Sequence, residues 1–343
     1  MVTLGLLAIA LILIIIYQIA RASELLSEVK HGQRSVSTRN DIHAKLFLAF
    51  LIVGMIGAFW SAFHYAPLYL PEPSSEHGVW LRDMFFWTLV ATVPVFVVTH
   101  IMLFYFAFKY THDDNKIAKY FPDDNRLELI WTLVPAVVMV LLVTIGIVNW
   151  NKITSPPSEN AIVIEATGQQ FYWTLRYAGA DNKLGTKHVR FMSDKNPMGQ
   201  NWDDPNNNDD FLADELHLPL NKEVIIKINS MDVLHNFFLP HMRVKMDAVP
   251  GIPTQFKFTA TKTTEQMRDE LGNPDFNYEL ACAELCGPSH YNMRKVVIVE
   301  TEEEFNNWLK EQEPISKSFG PKAATGNVDL DKHEETTIVS LNK

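Results

Sequence analysis

The chain has 343 residues, 47% of them hydrophobic, and its 30 Lys and Arg against 40 Asp and Glu leave a formal charge of −10 at pH 7. That acidic balance argues against a nucleic-acid-binding role, because phosphate affinity is built on clustered Lys and Arg. The averages resemble an ordinary soluble protein, but they hide an asymmetry: apolar stretches crowd before residue 150, and residues 151–343 are polar and broken by Pro, Gly and Asn.

Four apolar runs come first, Val2 to Ala20, Leu46 to Tyr65, Met84 to Phe108 and Leu129 to Trp150. Each approaches or exceeds the roughly 20 residues that carry a helix across a bilayer. The first could be a cleaved signal peptide, but it has no basic n-region, its apolar core is long, and Arg21 follows the run instead of preceding it. A retained first span with its N-terminus outside is the expectation.

Lys and Arg then set the orientation, since short cytoplasmic loops keep the positive charge. The link 21–45 carries Arg21, Lys30, Arg34, Arg39 and Lys45, and the link 109–128 carries Lys109, Lys116, Lys119 and Arg126, whereas 66–83 carries only Arg82. Four alternating spans therefore place both basic links in the cytoplasm and everything after Trp150 outside. The expected organisation is an extra N-terminal pair of spans with its basic link over 1–66, a transmembrane hairpin over 67–150, an outer domain over 151–315 and a flexible tail over 316–343.

Past the Pro-rich linker NWNKITSPPSEN, short alternating segments read as strands: AIVIEAT, QFYWTLRY, EVIIKIN, QFKFTA and KVVIVE. A helical period returns only at EEEFNNWLKEQ. The expected outer domain is an antiparallel β sandwich or barrel with Greek-key connections and a short terminal helix. Between Tyr177 and Glu215 lies a connection rich in Asn, Asp, Gly and Pro, read as a surface loop. Its Asp203, Asp204, Asp209 and Asp210 do not reproduce the spacing of a calcium loop. Residues 151–343 hold 20 Lys and Arg against 29 Asp and Glu, which suggests a basic partner or simply solubility.

The only two cysteines stand in ACAELCGPSHYNM, which places Cys282, Cys286, His290 and Met293 within a dozen residues. A disulfide, a stray thiol pair and a metal site are all open readings. Two thiolates, an imidazole and a thioether form a soft set that suits copper over magnesium or calcium. Mononuclear copper electron carriers use one Cys, two His and an axial Met; this loop has a second cysteine, so two sulfurs could bridge a copper pair. His235, in SMDVLHNFFLP, can supply the further imidazole from an earlier strand. There is no CxxCH, hence no covalent c-type haem on this chain.

The stretch CxExCGxxHxxM resembles the CuA loop of cytochrome c oxidase subunit II, a membrane-anchored cupredoxin family, and the likeness runs from about Met84 to about Leu309. The resemblance implies Cys282 and Cys286 as bridging thiolates, His235 and His290 as imidazole ligands, Met293 as a weak thioether ligand and Glu284 as a backbone-carbonyl ligand to copper. It also places the Glu284 side chain on a Mg2+ shared with subunit I. Electrons would arrive from a c-type cytochrome and leave for the haem and CuB of subunit I, where oxygen is reduced. The setting implied is the lipid of a bacterial inner (plasma) membrane, with the copper domain on the periplasmic side.

In GQQFYWTLRY, similar to the family's electron-entry segment, Phe171 replaces the family's first Trp, and Tyr172 and Trp173 follow. Strand-face packing is the competing reading of these rings. Glu128, in LELIWTLVPA, matches by context the family's glutamate at the mouth of a proton channel; a membrane-edge carboxylate facing water is the alternative. The first two spans depart from the family's usual two-span hairpin and imply contacts with further subunits. Two other functions share the copper loop: a CuA-bearing component of a nitric oxide or nitrous oxide reductase, and a membrane-anchored copper carrier.

Overall fold

In the computed structural model, which describes residues 2–31, 34–112, 116–194 and 196–320, four long helices precede ten strands. The helices are α1 (Val2–His31), α2 (Arg34–His64), α3 (Glu76–Lys109) and α4 (Asn125–Thr154). By length and composition, three stretches among the described residues can cross a membrane: Asn40–His64, Glu76–Lys109 and Asn125–Thr154. The first apolar run lies in α1, but side chains 2–6, 8 and 9 fall outside the described residues, so the expected fourth span is not counted among them.

Helix suits these runs because it satisfies every backbone N–H and C=O internally, as an apolar solvent requires. The Asp124 carboxylate starts α4 by accepting from the N–H groups of Arg126 at 2.9 Å and Leu127 at 3.2 Å. The basic link 21–45, expected as a connection, is largely helical: α1 extends to His31 and α2 begins at Arg34. Pairs one turn apart, such as Lys45 with Asp41 at 2.6 Å, suit charged residues to those helical turns.

The chain divides into two compact units, Met1–Tyr69 with Phe86–Leu141, and Leu70–Phe85 with the chain from Leu142 onward. In the second unit, the segment before α3 is tied to the β domain. Ser75 Oγ donates to the Met242 carbonyl at 2.6 Å, the Ser74 N–H donates to the His241 carbonyl at 2.7 Å, and the Arg243 guanidinium donates to the Pro71 carbonyl.

The strands are β1 (Ile162–Gln169), β2 (Tyr172–Tyr177), β3 (Phe211–Ala213), β4 (Leu216–Pro219), β5 (Glu223–Ser230), β6 (His235–Leu239), β7 (Val244–Ala248), β8 (Thr254–Thr259), β9 (Tyr278–Cys282) and β10 (Arg294–Glu300). Helix α5 (Thr264–Leu271) precedes β9, and α6 (Glu302–Glu311) and α7 (Ile315–Phe319) follow β10. They form two five-stranded sheets, in the orders β3-β2-β1-β5-β8 and β4-β10-β9-β6-β7. Between the sheets lie Ile164, Trp173, Leu175, Ile226, Phe237, Leu280 and Val297, all at most 1% exposed. Burying each large apolar side chain contributes about 1.5–3 kcal/mol.

The expected antiparallel sandwich is corrected to a mixed one, since β1 pairs β5 in parallel and β10 pairs β4 in parallel. Parallel neighbours need long crossovers, and the chain supplies them by passing to the other sheet before returning.

The expected surface loop after Tyr177 is also partly corrected, because Asn207 and Asp210 are fully buried. Arg176, 2% exposed, donates to Glu165 at 2.8 Å and Asp210 at 3.0 Å, and to the Gly185 carbonyl at 3.1 Å. A buried guanidinium demands such partners. Asp204 accepts from the Thr186 N–H, and Asp209 from those of Ala180 and Asp181, so these carboxylates cap backbone. Of the expected flexible tail, the first residues enter α7, and 321–343 lie outside the described residues.

Candidate metal centre

Three neighbouring strands of one sheet carry the site. Antiparallel β9 and β10 are joined by the loop from Ala283 to Met293, and β6 lies beside β9 with Phe237 opposite Cys282. The base of the loop is pinned, as the Cys282 N–H donates to the Met293 carbonyl and the Ala283 N–H to the Asn236 carbonyl, both at 3.1 Å. A 3-10 turn over His290–Asn292, closed by the Met293 N–H on the His290 carbonyl at 3.2 Å, brings His290 and Met293 back over the cysteines.

Cys282 Sγ lies 3.9 Å from Cys286 Sγ, 3.8 Å from His235 Nδ1 and 3.2 Å from the Glu284 carbonyl oxygen. Cys286 Sγ lies 3.6 Å from His290 Nδ1 and 3.9 Å from Met293 Sδ. Donors that surround one metal at bonds of about 2.0–2.3 Å are separated by roughly 3.5 Å, so these spacings fit metal coordination. Both thiols are free and buried. Among the described residues, His235, Cys282 and Cys286 are the one group of three His, Cys, Asp or Glu whose ligand atoms converge, within 4.8 Å.

The site is dry on its inner side. His235 and Met293 are fully buried, and Cys282 and Cys286 are 8% and 5% exposed. Burial, the neighbouring Cys282 thiol and a hydrogen bond with it push the Cys286 thiol up to about 11. A soft cation would favour the thiolates and release their protons. His235 Nε2 donates to Asp232 Oδ1 at 2.8 Å, leaving Nδ1 to face Cys282. Burial pushes the Asp232 carboxyl up, but the Gln170 N–H, the His235 ring and the Val233 N–H outweigh it and hold the group below its usual range.

Two glycines make room. A Cβ on Gly168 would meet the His235 ring at 2.9 Å, and a Cβ on Gly287, at φ +140°, would meet the Phe171 ring at 2.9 Å. Phe171 thus sits against the residue after Cys286. Trp173 is 1% exposed with its ring edge-on to His235 at 6.0 Å, and its Nε1 has no partner. Tyr172 is 48% exposed and donates from its hydroxyl to Gln169 Oε1 at 2.6 Å. Leu285 and Tyr291, both on the cysteine loop, are each 80% exposed.

Of the residues singled out from sequence, His235, Cys282, Cys286, His290, Met293 and the Glu284 carbonyl come together. The Glu284 side chain is exposed, and Glu128 stands exposed in the first turn of α4. Sequence reading missed Asp232, Gln170 and the two glycines. A carboxylate three residues before a ligand histidine was the available signal, because ligating imidazoles commonly donate their second N–H to such a group.

The architecture is that of a membrane protein in which three apolar helices precede a two-sheet, cupredoxin-like domain carrying a soft-ligand cluster. Residues 64–175 match the profile for cytochrome c oxidase subunit II, transmembrane domain, and residues 162–301 that for its periplasmic domain. The alternative cytochrome c oxidase subunit 2 of Bradyrhizobium diazoefficiens is 37% identical over 232 residues, covering 66% of this chain and 79% of that protein. Cytochrome c oxidase subunit 2 of Thermostichus vulcanus is 28% identical over 290 residues, covering 77% and 84%. The solved periplasmic domain of subunit II from Bradyrhizobium japonicum is 26% identical, covers 48% of this chain and 98% of that one, and superposes with a TM-score of 0.31.

The chain belongs to the cytochrome c oxidase subunit II family. It is a subunit of an oxidase complex, and membership implies a CuA copper centre and an electron-transfer role for the β domain.

Proposed function

We propose that this subunit receives electrons from a c-type cytochrome at a two-copper CuA centre and passes them to the haem and CuB of subunit I, which reduces oxygen to water. The observation that carries the reading is the convergence of two imidazoles, a thioether and a carbonyl on two neighbouring cysteine sulfurs. His235, Cys282, Glu284 through its carbonyl, Cys286, His290 and Met293 would hold the metal. Bound there, copper supplies a one-electron carrier.

The chain's own residues keep that carrier rigid and dry. Asp232 fixes the ring orientation of His235, and the pinned base of the loop fixes Cys282. The donor would approach the exposed side of the loop, where Leu285 and Tyr291 offer apolar contact. Phe171 against Gly287 and Trp173 against His235 are the candidate rings for electron entry, with Tyr172 on the exposed strand face.

The same reading gives the chain four spans, both ends of that set outside, with the copper domain over 151–315 on the periplasmic side of a bacterial inner membrane and lipid around the helices. Residues 1–66 would contact further oxidase subunits and 67–150 would be the hairpin beside subunit I. The exposed Glu128 would open a proton path from the cytoplasm, and the Glu284 side chain would reach a Mg2+ at the subunit I boundary. Purifying the complex and measuring oxygen consumption with a reduced c-type cytochrome tests this. Copper-dependent oxygen uptake is expected; a complex that consumes nitric oxide or nitrous oxide instead, or that yields its copper to a mild chelator with no subunit I present, contradicts it.

A further inference from the structure

We infer that Gln170 is a positioning residue of the metal centre, bracing the cysteine loop against the His235 side of the site. The inference rests on the copper reading above. Strands β1 and β2 belong to the sheet opposite the ligands, and they pair Gln169 with Tyr172, leaving Gln170 and Phe171 as a two-residue tip. That tip reaches the metal loop. Gln170 Nε2 donates to the Cys286 carbonyl at 2.5 Å, and its own backbone N–H donates to Asp232 Oδ2 at 2.7 Å.

Asp232 in turn accepts from His235 through its other oxygen, at 2.8 Å. One residue therefore links a cysteine on the β9–β10 loop to a histidine on β6. Beside it, Gly287 has no Cβ, and one there would meet Phe171 at 2.9 Å and Gln170 Nε2 at 3.0 Å, so the tip packs directly on the residue after Cys286. Gln170 is an exposed residue whose amide gives its hydrogen bond to a carbonyl one residue from the glycine that admits it. Without that donor the Cys286 carbonyl loses its partner, and the loop is free to shift against Asp232 and His235.

The consequence is specific. Moving Cys286 relative to His235 changes the coupling between the two sulfurs and the terminal imidazoles, which a general loss of stability does not do. Removing a supporting partner of a metal ligand typically lowers metal retention by about 10–100-fold.

The test uses the detergent-purified complex with Gln170→Met, which keeps length but removes the donor, and Gln170→Glu, which keeps shape and turns the donor into an acceptor at neutral pH. Copper content, the copper hyperfine pattern, the rate of copper loss to a chelator and the unfolding midpoint are measured, and the metal-depleted protein is treated with iodoacetamide. Both variants are expected to bind copper, with an altered hyperfine pattern, about tenfold faster copper loss and faster alkylation of Cys286. Acidification is expected to move the Gln170→Glu variant back toward the wild type as its introduced carboxyl gains a proton to donate.

Wild-type spectrum, release rate and alkylation in both variants overturn the inference. If the wild type holds no copper, the copper reading fails, and the alkylation comparison still decides whether Gln170 holds the loop. Should Gln170→Met fail to fold, the pH response of Gln170→Glu decides the question: recovery on acidification supports the brace, and a pH-independent wild-type spectrum overturns it.

Discussion

Asp232 and His235 form a carboxylate–imidazole pair: Nε2 of the fully buried ring donates to Oδ1 at 2.8 Å, so that Nδ1 faces the Cys282 sulfur. Three residues apart, they settle which nitrogen carries the proton and which is free to bind a metal. Asp232→Asn keeps the shape but removes the charge that holds that tautomer. Metal retention is expected to fall by about 10–100-fold, read as copper loss during chelator competition. Unchanged retention would show that the ring is oriented by packing alone.

Asp210 carries a pH signature far from the metal. Burial pushes its carboxyl up to about 6, against the lowering influence of Arg176 and the Gly185 N–H, and its Oδ1 has no partner. The folded protein therefore binds this proton more tightly than the unfolded chain does. Its contribution favours folding below the unfolded pKa near 4 and is lost as pH rises through about 6. Relative to the wild type, Asp210→Asn should remove a fall in unfolding midpoint between about pH 4 and pH 6. Parallel pH profiles for the two proteins would contradict the assignment.

The apolar helices and the strands of the buried sheet faces were legible because their periodicities are set by a single solvent boundary. Val224, Ile226 and Ile228 on β5 alternate with its more exposed positions, apart from Ile225, which is buried as well. The parallel pairings β1–β5 and β10–β4 left no such mark, since register between distant strands depends on tertiary packing. Helix α5 spans only eight residues and is defined by its Thr263–Gln266 capping box, a shorter signal than a helical period.

At the site, the donor atoms were readable as residue types, and what held them was not. Cys282, Cys286, His290 and Met293 announce themselves on one loop. Gln170 lies 116 residues from Cys286 and reaches it with an ordinary amide that nothing in its own neighbourhood distinguishes. The polar loop after Tyr177 misled for the opposite reason: Asn207 and Asp210 look like solvated turn residues and are fully buried around Arg176.

Gly287→Ala tests the close approach of the two sheets. At φ +140° with Phe171 2.9 Å from the position of the new methyl, the loop must move. The expected cost is about 1–3 kcal/mol, seen as a lower unfolding midpoint together with weaker copper retention. An alanine accepted at full stability would mean the β1–β2 tip does not bear on the loop.

The charge of the outer region predicts how the donor arrives. With 29 Asp and Glu against 20 Lys and Arg after residue 150, association with a basic cytochrome should slow steeply as ionic strength rises, because exposed charges are screened beyond about 10 Å at 0.1 M salt. Stopped-flow reduction across a salt series measures it. A flat response would point to apolar contact through Leu285 and Tyr291 as the governing interaction.

The most direct measurement of the central claim is the copper spectrum of the purified complex with and without Cys286. The wild type should hold two coppers per chain and show the near-infrared absorption and multi-line hyperfine pattern of an electron shared by a pair. Cys286→Ser, which removes the sulfur lying near Cys282, His290 and Met293, should lose both signals. A wild type without them, or a Cys286→Ser protein that retains them unchanged, would contradict a two-copper centre on this loop.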